Sequence, residues 1–484
     1  MKLHTIFLCL LAVFTLVTAG AQPRMLRFCS YNVDCADQSS DNNLTNAATL
    51  SLPTVIKGMG LHHIGTNAQP VDLLSCEEDT GTTLSNFVVQ LNLIYGAGTY
   101  TNDQTTDLTT GGGTDGLIYN PKTVQVISAR TLPTGQTVLL QPNLTYVNSY
   151  NPGGGTKFVT RGPMLYQIRP VGYGSHYDFY IYVSHARSSS DDPLGDGRYA
   201  EAQEVRSDAK YNLPAGAHII YSGDWNLFAG SYENAYRCLT GQITSDGTNW
   251  ADNASVWANT NQTQAYDPTS KTSPPTTTIF TNSAVDNANY LYDDSTDPGS
   301  FTMSSRLDIQ LPNALMFAAY NTASGVRIAS APVSPYDTSN FPSSQYPYAF
   351  EIFGNNGTVP IGSPATNAAN HSLDDLASTV PNATTVYKDI ELIGSTTNFT
   401  GSDHYPLVSD YVIYTPPPVM TNFTYTNKVL QFNVTGGAGS SYAVEVNTNV
   451  VETNWMAIIT NTAPYLYQDT NSRPQRFYRA RSVP

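Results

Sequence analysis

Short apolar runs recur along most of the chain, separated by long polar stretches. Leu26–Val33, Val71–Cys76, Gly116–Tyr119, Met164–Ile168, Asp178–Ser184, Ala217–Ser222, Arg306–Leu311 and Tyr405–Ile413 have the length and residue types of strands. Thr83–Tyr95 differs, because Leu84, Phe87, Val88, Leu91 and Ile94 recur at helical spacing. Tyr199–Tyr211 is rich in Ala, Glu, Arg and Lys, which also favours helix. Between Met25 and Ile413 the pattern therefore mixes strands with helices. Thr240–Thr302 and Ala319–Thr400 are dominated by Asn, Thr, Ser, Pro and Asp, and are expected to be surface excursions from the folded unit.

The two ends read differently. Lys2 precedes an apolar run from Ile6 to Val17, and Ala19-Gly20-Ala21 follows. That is the pattern of a secretory signal over residues 1–21, so a secreted, extracellular protein is expected. No other stretch approaches the ~20 apolar residues of a membrane span. Toward the other end, Tyr414-Thr415-Pro416-Pro417-Pro418 is stiff and extended, since proline cannot donate to a sheet ladder. Beyond it, Val429–Val434 and Tyr442–Val446 alternate with period two and no helical stretch intervenes. The expected organisation is a main unit of mixed strands and helices over 22–414, a proline-rich linker over 415–419 and a small β-rich module over 420–484.

Composition narrows the function classes. The 484 residues are 40% hydrophobic, enough for a sizeable core, yet only 13% charged, with a formal net charge of -15. Such a chain does not grip nucleic acid through a broad basic surface. Removing the leader takes Cys9 with it and leaves Cys29, Cys35, Cys76 and Cys238. In an oxidising compartment these permit up to two disulfides, and spacing does not choose the pairing.

Polar residues gather where the predicted strands end. Asn32 ends the first, Glu78 follows the second, His185 follows Asp178–Ser184, and Gly223-Asp224-Trp225-Asn226 follows Ala217–Ser222. Gly401-Ser402-Asp403-His404 precedes the last. Side chains at strand ends are not used up by packing, so this is where ligand sites form. Glu78 and Asp403 are hard oxygen ligands and Asn32 a neutral one, a set suited to a divalent metal such as Mg²⁺, with Mn²⁺ and Ca²⁺ as alternatives. Histidine can move protons at neutral pH, and Asp308 is a candidate to orient one imidazole. Each piece alone is an ordinary turn or cap signal. Their conjunction is what carries weight.

In that order the segments Arg27-Phe28-Cys29-Ser30-Tyr31-Asn32, Leu73-Leu74-Ser75-Cys76-Glu77-Glu78, Val183-Ser184-His185, Gly223-Asp224-Trp225-Asn226, Ser305-Arg306-Leu307-Asp308 and Ser402-Asp403-His404-Tyr405-Pro406 resemble the endonuclease/exonuclease/phosphatase superfamily. This is the fold of deoxyribonuclease I and the exonuclease III-type repair enzymes, and the resemblance runs from about Leu26 to Ile413. It implies an α/β fold, a four-layer sandwich of two packed mixed β-sheets flanked by helices, here with a small all-β C-terminal domain. Glu78 would be the principal metal ligand, supported by Asn32 and Asp403. His404, paired with Asp308, would be the general base. Asp224 and Asn226 would orient water and phosphate, and His185 would stabilise the developing charge or assist the leaving oxygen. Arg161 falls where such proteins often contact phosphate, and Arg187 is a second candidate for local substrate binding.

Two positions stand out from that pattern. Glu77 occupies the place of the usual Gln, where it would either shift the local charge or face solvent. Asp115, in Gly113-Thr114-Asp115-Gly116, could be an acid near the site but reads better as a turn residue. The ending Arg476-Phe477-Tyr478-Arg479 is similar to short C-terminal β modules of secreted bacterial proteins, which implies attachment to a cell surface or to sorting machinery. The expected function is a secreted metal-dependent phosphoesterase cleaving phosphodiester bonds, nuclease-like, with nucleic acid as partner. The alternatives are a sphingomyelinase-like lipid hydrolase or phosphatase, and a non-catalytic binding protein of the same fold. The acidic composition does not oppose phosphate chemistry, because a bound cation reverses the local sign of an acidic site.

Overall fold

The computed structural model describes residues 24–33, 56–60, 69–79, 83–103, 113–132, 139–141, 144–145, 161–187, 196–227, 234–241, 263–266, 291–293, 301–303, 307–317, 323–329, 348–352, 404, 406–437, 440–470 and 475–483. The leader, Cys35, His62-His63, His371 and Asp403 lie outside these residues.

In chain order the first strands are β1 (Met25–Asn32), β2 (Leu73–Asp79), β3 (Thr101–Asn102), β4 (Thr114–Tyr119), β5 (Val124–Thr131) and β6 (Met164–Pro170). Then come β7 (Phe179–Val183), β8 (His218–Asp224), β9 (Asp308–Pro312), β10 (Gly325–Ile328), β11 (Phe350–Ile352) and β12 (Leu407–Tyr414). Helices α1 (Thr83–Tyr95), α2 (Asp196–Tyr211) and α3 (Asn234–Leu239) lie between them. These strands form two mixed sheets. One has the order β10-β12-β1-β2-β4-β3, with β11 also paired to β12. The other has the order β9-β8-β7-β6-β5.

The sheets stack face to face. Phe28, Leu73, Met164, Ile168, Ile181 and Ile220 share one buried cluster, and Ser75 Oγ lies 3.4 Å from Ser222 Oγ across the gap. On the far side of the first sheet, Ile56, Met59, Leu84, Phe87 and Leu91 join the same cluster. On the far side of the second, Tyr182 and Tyr221 pack with Ala202, Val205, Ala235 and Leu239 of α2 and α3. The order is helices, sheet, sheet, helices, the expected four-layer sandwich.

Each sheet contains one parallel pair, β1 with β2 and β7 with β8. The strands that run antiparallel to them, β12 beside β1 and β9 beside β8, start where the parallel strands finish. One rim of the sandwich thus collects the ends of β1, β2, β7 and β8 and the starts of β12, β9, β4 and β6. The same rim carries every sequence-predicted site residue that lies among the described residues.

The structure corrects several expectations. The polar stretches are not wholly surface excursions: Ala265, Tyr266, Val326, Ile328, Ala349 and Phe350 are buried, and β10 and β11 complete the first sheet. Polar flanks concealed these short segments. β5 was missed because its side chains alternate with much exposure and few large apolar groups (Val124–Thr131). Cys29 and Cys238 are buried free thiols rather than disulfide partners, and Cys76 is buried in β2.

After Tyr414 the chain runs without a strand to β13 (Val419–Thr426), followed by β14 (Val429–Thr435), β15 (Ser441–Asn447), β16 (Met456–Thr462), β17 (Tyr465–Asp469) and β18 (Phe477–Val483). They form two three-stranded antiparallel sheets, β13-β14-β17 and β16-β15-β18. Phe432, Val434, Tyr442 and Val444 are buried between them. Among the described residues no helix is long and apolar enough to cross a membrane.

Candidate active site

The bend in β2 decides which acids reach the rim. Neighbouring strand residues point to opposite faces, so Glu77 and Glu78 ought to diverge. Here the β2–β4 register slips between Cys76 and Asp79, so that two residues stand opposite one. Glu78 adopts φ 56, uncommon for a residue with a side chain. Glu78 turns over the rim while Glu77 stays beneath it, between the sheets.

Four groups meet at Asn32. Its Nδ2 lies 3.2 Å from Glu78 Oε1, 3.2 Å from Asp224 Oδ2 and 3.4 Å from His404 Nε2. His185 Nε2 lies 3.1 Å from Glu78 Oε1 and 3.6 Å from Asp224 Oδ2. On the other side of Asp224, His404 Nε2 is 3.8 Å from the same oxygen, and its Nδ1 bonds Asp308 Oδ2 at 2.7 Å. Asp224 and Asp308 face each other directly across the β8–β9 ladder. Two histidines, three acids and an amide thus surround one small volume, all but Glu78 essentially inaccessible to solvent.

The loop after β8 is organised by Asp224 itself. Its Oδ1 accepts the Asn226 backbone N–H at 2.8 Å, an arrangement that tolerates φ 50 at Asn226. Asn226 Nδ2 then donates to Ala186 O at 2.9 Å, and Arg161 Nη1 donates to that same oxygen at 2.9 Å. Arg161 is therefore held beside the cluster. Trp225 is fully buried and donates through Nε1 to Ser222 O at 3.3 Å. Gly223 has φ 113, and a Cβ there would lie 2.2 Å from Ser184 O. Glycine is what lets β8 approach the end of β7. Arg187 is half-buried just beyond His185, and its carbonyl accepts from Arg198 Nη1 at 3.3 Å.

The two doubtful acids have definite places. Asp115 is no turn residue. It is buried within β4, and its Oδ2 accepts the His185 backbone N–H at 3.2 Å. Among the described residues His185 Nδ1 has no hydrogen-bond partner, so the imidazole is placed by its backbone anchor at Asp115 together with the Nε2 contact to Glu78. The adjacent Gly116 hinted at this tight packing, because a Cβ there would lie 2.2 Å from Leu84 Cδ1. Glu77 does not face solvent: it is fully buried, with Oε1 3.3 Å from Ser30 Oγ. Burial, then the negative charges of Asp308 and Asp224, push its carboxyl well above the usual range, which favours its neutral form.

The rim carboxylates diverge in the same way. Burial also acts on Glu78, but the charge and hydrogen bond of His185 outweigh it and hold this carboxyl well below its ordinary value. Asp308 is raised, because burial dominates over the stabilising contact with His404. Neighbouring acids with opposite shifts are a common property of reaction centres.

The donors fit a hard divalent ion. Ligand atoms of Glu78, His185 and Asp224 lie within 4.8 Å of one another, and so do those of Asp224, Asp308 and His404. Glu78 is the most solvent-accessible of these acids and suits a first ligand, with the Asn32 amide beside it turning Nδ2 toward it at 3.2 Å.

No protein-family model matches the chain, and no curated protein does. Solved structures do. An endonuclease/exonuclease/phosphatase family protein from Bacteroides thetaiotaomicron is similar over 81% of this chain and 100% of its own, at 12% identity and a TM-score of 0.40. A D. rerio TDP2 humanised by 14 mutations is similar over 80% of this chain and 98% of its own, at 13% identity and TM-score 0.38. The human Nocturnin catalytic domain with bound sulfate covers 81% and 96% respectively, at 14% identity and TM-score 0.34.

Proposed function

We propose that the chain is an exported member of the endonuclease/exonuclease/phosphatase superfamily, a divalent-metal-dependent phosphoesterase that hydrolyses phosphodiester bonds in the manner of an extracellular nuclease. One observation carries this reading. Asn32, Glu78, His185, Asp224, Asn226, Asp308 and His404 come from separate strand ends and meet at one rim, with His404 Nδ1 2.7 Å from Asp308 Oδ2. A binding protein has no need of an oriented imidazole beside a cluster of buried acids.

In this reading Glu78 and Asn32 hold the ion, Mg²⁺ by their chemistry, and Asp403 assists them. The ion supplies charge neutralisation at the phosphate oxygens. Asp308 accepts from His404 Nδ1, which leaves Nε2 to take a proton from the attacking water. Asp224 and Asn226 orient the water and the phosphate. His185 faces the same volume from the Glu78 side, where its Nε2–H stabilises the developing negative charge or assists the leaving oxygen. Arg161, tied to Ala186, is the nearby cation for a flanking phosphate, and Arg187 is a second.

The test is an assay of purified protein on DNA, RNA, sphingomyelin and bis(4-nitrophenyl) phosphate, with Mg²⁺ and with EDTA. EDTA-sensitive cleavage of nucleic acid is expected. Cleavage of sphingomyelin alone would make the lipid the substrate, and no EDTA-sensitive cleavage of any of the four would remove the enzyme reading.

A further inference from the structure

The β2 bulge ties the two sides of the site together. Before it the ladder pairs Cys76 with Gly116, and after it Asp79 with Thr114. Glu77 and Glu78 therefore stand against a single residue of β4, Asp115. That residue is the one whose Oδ2 accepts the His185 backbone N–H at 3.2 Å. His185 Nε2 in turn lies 3.1 Å from Glu78 Oε1. The path closes on itself: bulge, Asp115, His185 and back to Glu78. Whatever fixes the bulge register also sets the acid against the imidazole.

A bulge of this kind does not hold by itself. Glu78 sits at φ 56, where an L side chain crowds the following carbonyl. Such a conformation persists only when its surroundings over-determine it. On the near side the chain is held by regular pairing with β1, where Asn32 stands opposite Glu77 and Val33 N donates to Glu77 O at 3.0 Å. On the far side the β2–β4 ladder has one pair left, Asp79 with Thr114. Last pairs fray unless something else holds them.

Side chains hold this one. Thr114 Oγ1 donates to Asp79 Oδ1 at 2.6 Å and lies 3.2 Å from Asp79 O. One hydroxyl thus contacts both the carboxylate and the carbonyl of the residue that follows Glu78. Asp79 is 2% exposed, and burying an acid is costly unless it is bonded. Gly116 makes room for it. A Cβ there would lie 2.7 Å from Asp79 Oδ2, and Gly116 has no left-handed φ, so this glycine serves space rather than backbone freedom.

We propose that Asp79 and Thr114 are positioning residues for Glu78. Their side-chain bond locks the far side of the bulge, keeps Glu78 turned over the rim and so sets the affinity of the site for a divalent ion. This role presupposes Glu78 as a metal ligand, the proposed reading of the site. A buried acid so near the rim invites a plainer role as a further ligand. Against that, Asp79 Oδ1 already accepts from Thr114, and among the described residues Asp79 belongs to neither group of ligand atoms that meet within 4.8 Å. Residues that orient a metal ligand from behind change metal affinity by about 10–100-fold when removed.

The test reads the ion directly. Mn²⁺ binding to the full chain, cleared of metal with EDTA and free of substrate, is titrated by calorimetry. The parent is compared with Glu78→Gln, Thr114→Val, Thr114→Ser, Asp79→Ala and the double variant Asp79→Ala, Thr114→Val. Thr114→Val keeps the shape of the side chain and the net charge and removes the hydroxyl. The parent should bind, and Glu78→Gln should lose the ion. Thr114→Val should bind about tenfold more weakly or worse with the thermal midpoint of the parent, and Thr114→Ser should recover affinity to within about threefold. The double variant should bind no more weakly than Asp79→Ala alone, since both changes remove one bond.

Parent-like affinity in Thr114→Val, or an equal loss in Thr114→Ser, would overturn the proposal while leaving Glu78 as a ligand. If Thr114→Val also melts early, the double variant decides: losses that add would mark a general structural effect and overturn the proposal, and losses that do not add support it. No Mn²⁺ binding by the parent, or parent-like binding by Glu78→Gln, would overturn the metal reading itself and the positioning role with it.

Discussion

At the level of single residues, the site depends on how neighbouring titratable groups are kept in different states. Asp308 fixes Nδ1 of His404 from a fully buried position, so in the proposed mechanism Nε2 is the nitrogen that takes the proton. His404→Ala and Asp224→Ala are each expected to lower turnover by about a thousandfold with the folding transition unchanged, as judged by steady-state rates beside thermal melts. Glu77 makes the opposite case. Burial favours its neutral form, and Glu77→Gln puts an uncharged hydrogen-bonding group of similar size in its place. Activity should stay within about threefold of the parent and stability should hold or rise. A large loss of rate would mean that the Glu77 proton takes part in the reaction. Neither the burial of Glu77 nor the anchoring role of Asp115 was legible in the chain, since both depend on which way a strand residue faces.

Elements set those facings. The β2 bulge brings Glu78 over the rim, and no residue pattern announces it: Ser75-Cys76-Glu77-Glu78-Asp79 has no glycine to mark the left-handed position. The close approach of β7 and β8 was partly signalled, because Gly223 precedes Asp224. Gly223→Ala tests its cost. A Cβ there would meet the Ser184 backbone oxygen at 2.2 Å, and φ 113 is itself strained for alanine. A loss of roughly 2–4 kcal/mol in denaturant unfolding is expected, with loss of activity, because Ser184 and Asp224 hold the two sides of the site. The regular strands were readable because a two-sheet core needs apolar runs. β10 and β11 escaped because strands of four and three residues carry too little pattern.

For the whole molecule, the ends of the sandwich opposite the site matter to stability. His218 begins β8 there and is buried, its ring so close to Gly325 that a Cβ would lie 2.3 Å from Nε2. Burial, then the charge of Arg327, lower its pKa from 6.5 to about 4. The unfolded chain therefore takes up a proton between those values while the native state does not. Stability should fall as pH drops from about 6.5 toward about 4 and lose no more from this group below that, up to ~3 kcal/mol in all. Urea midpoints at several pH values should show this slope in the parent and a shallower one in His218→Gln. An unchanged slope would mean that His218 titrates normally.

The apolar runs, the polar residues at their ends and the acidic balance were all available in the chain, because periodicity and residue chemistry are local properties. They determined an α/β unit with its chemistry at one rim and a separate β module behind a proline run. What only the tertiary structure decided was orientation: Glu77 beneath the site and Glu78 in it, Asp115 behind His185, Cys29 and Cys238 left as buried thiols, and the module at the pole away from the rim. Each of these follows from long-range strand pairing, where a one-residue shift in register turns a side chain to the other face of its sheet. No local pattern encodes that shift.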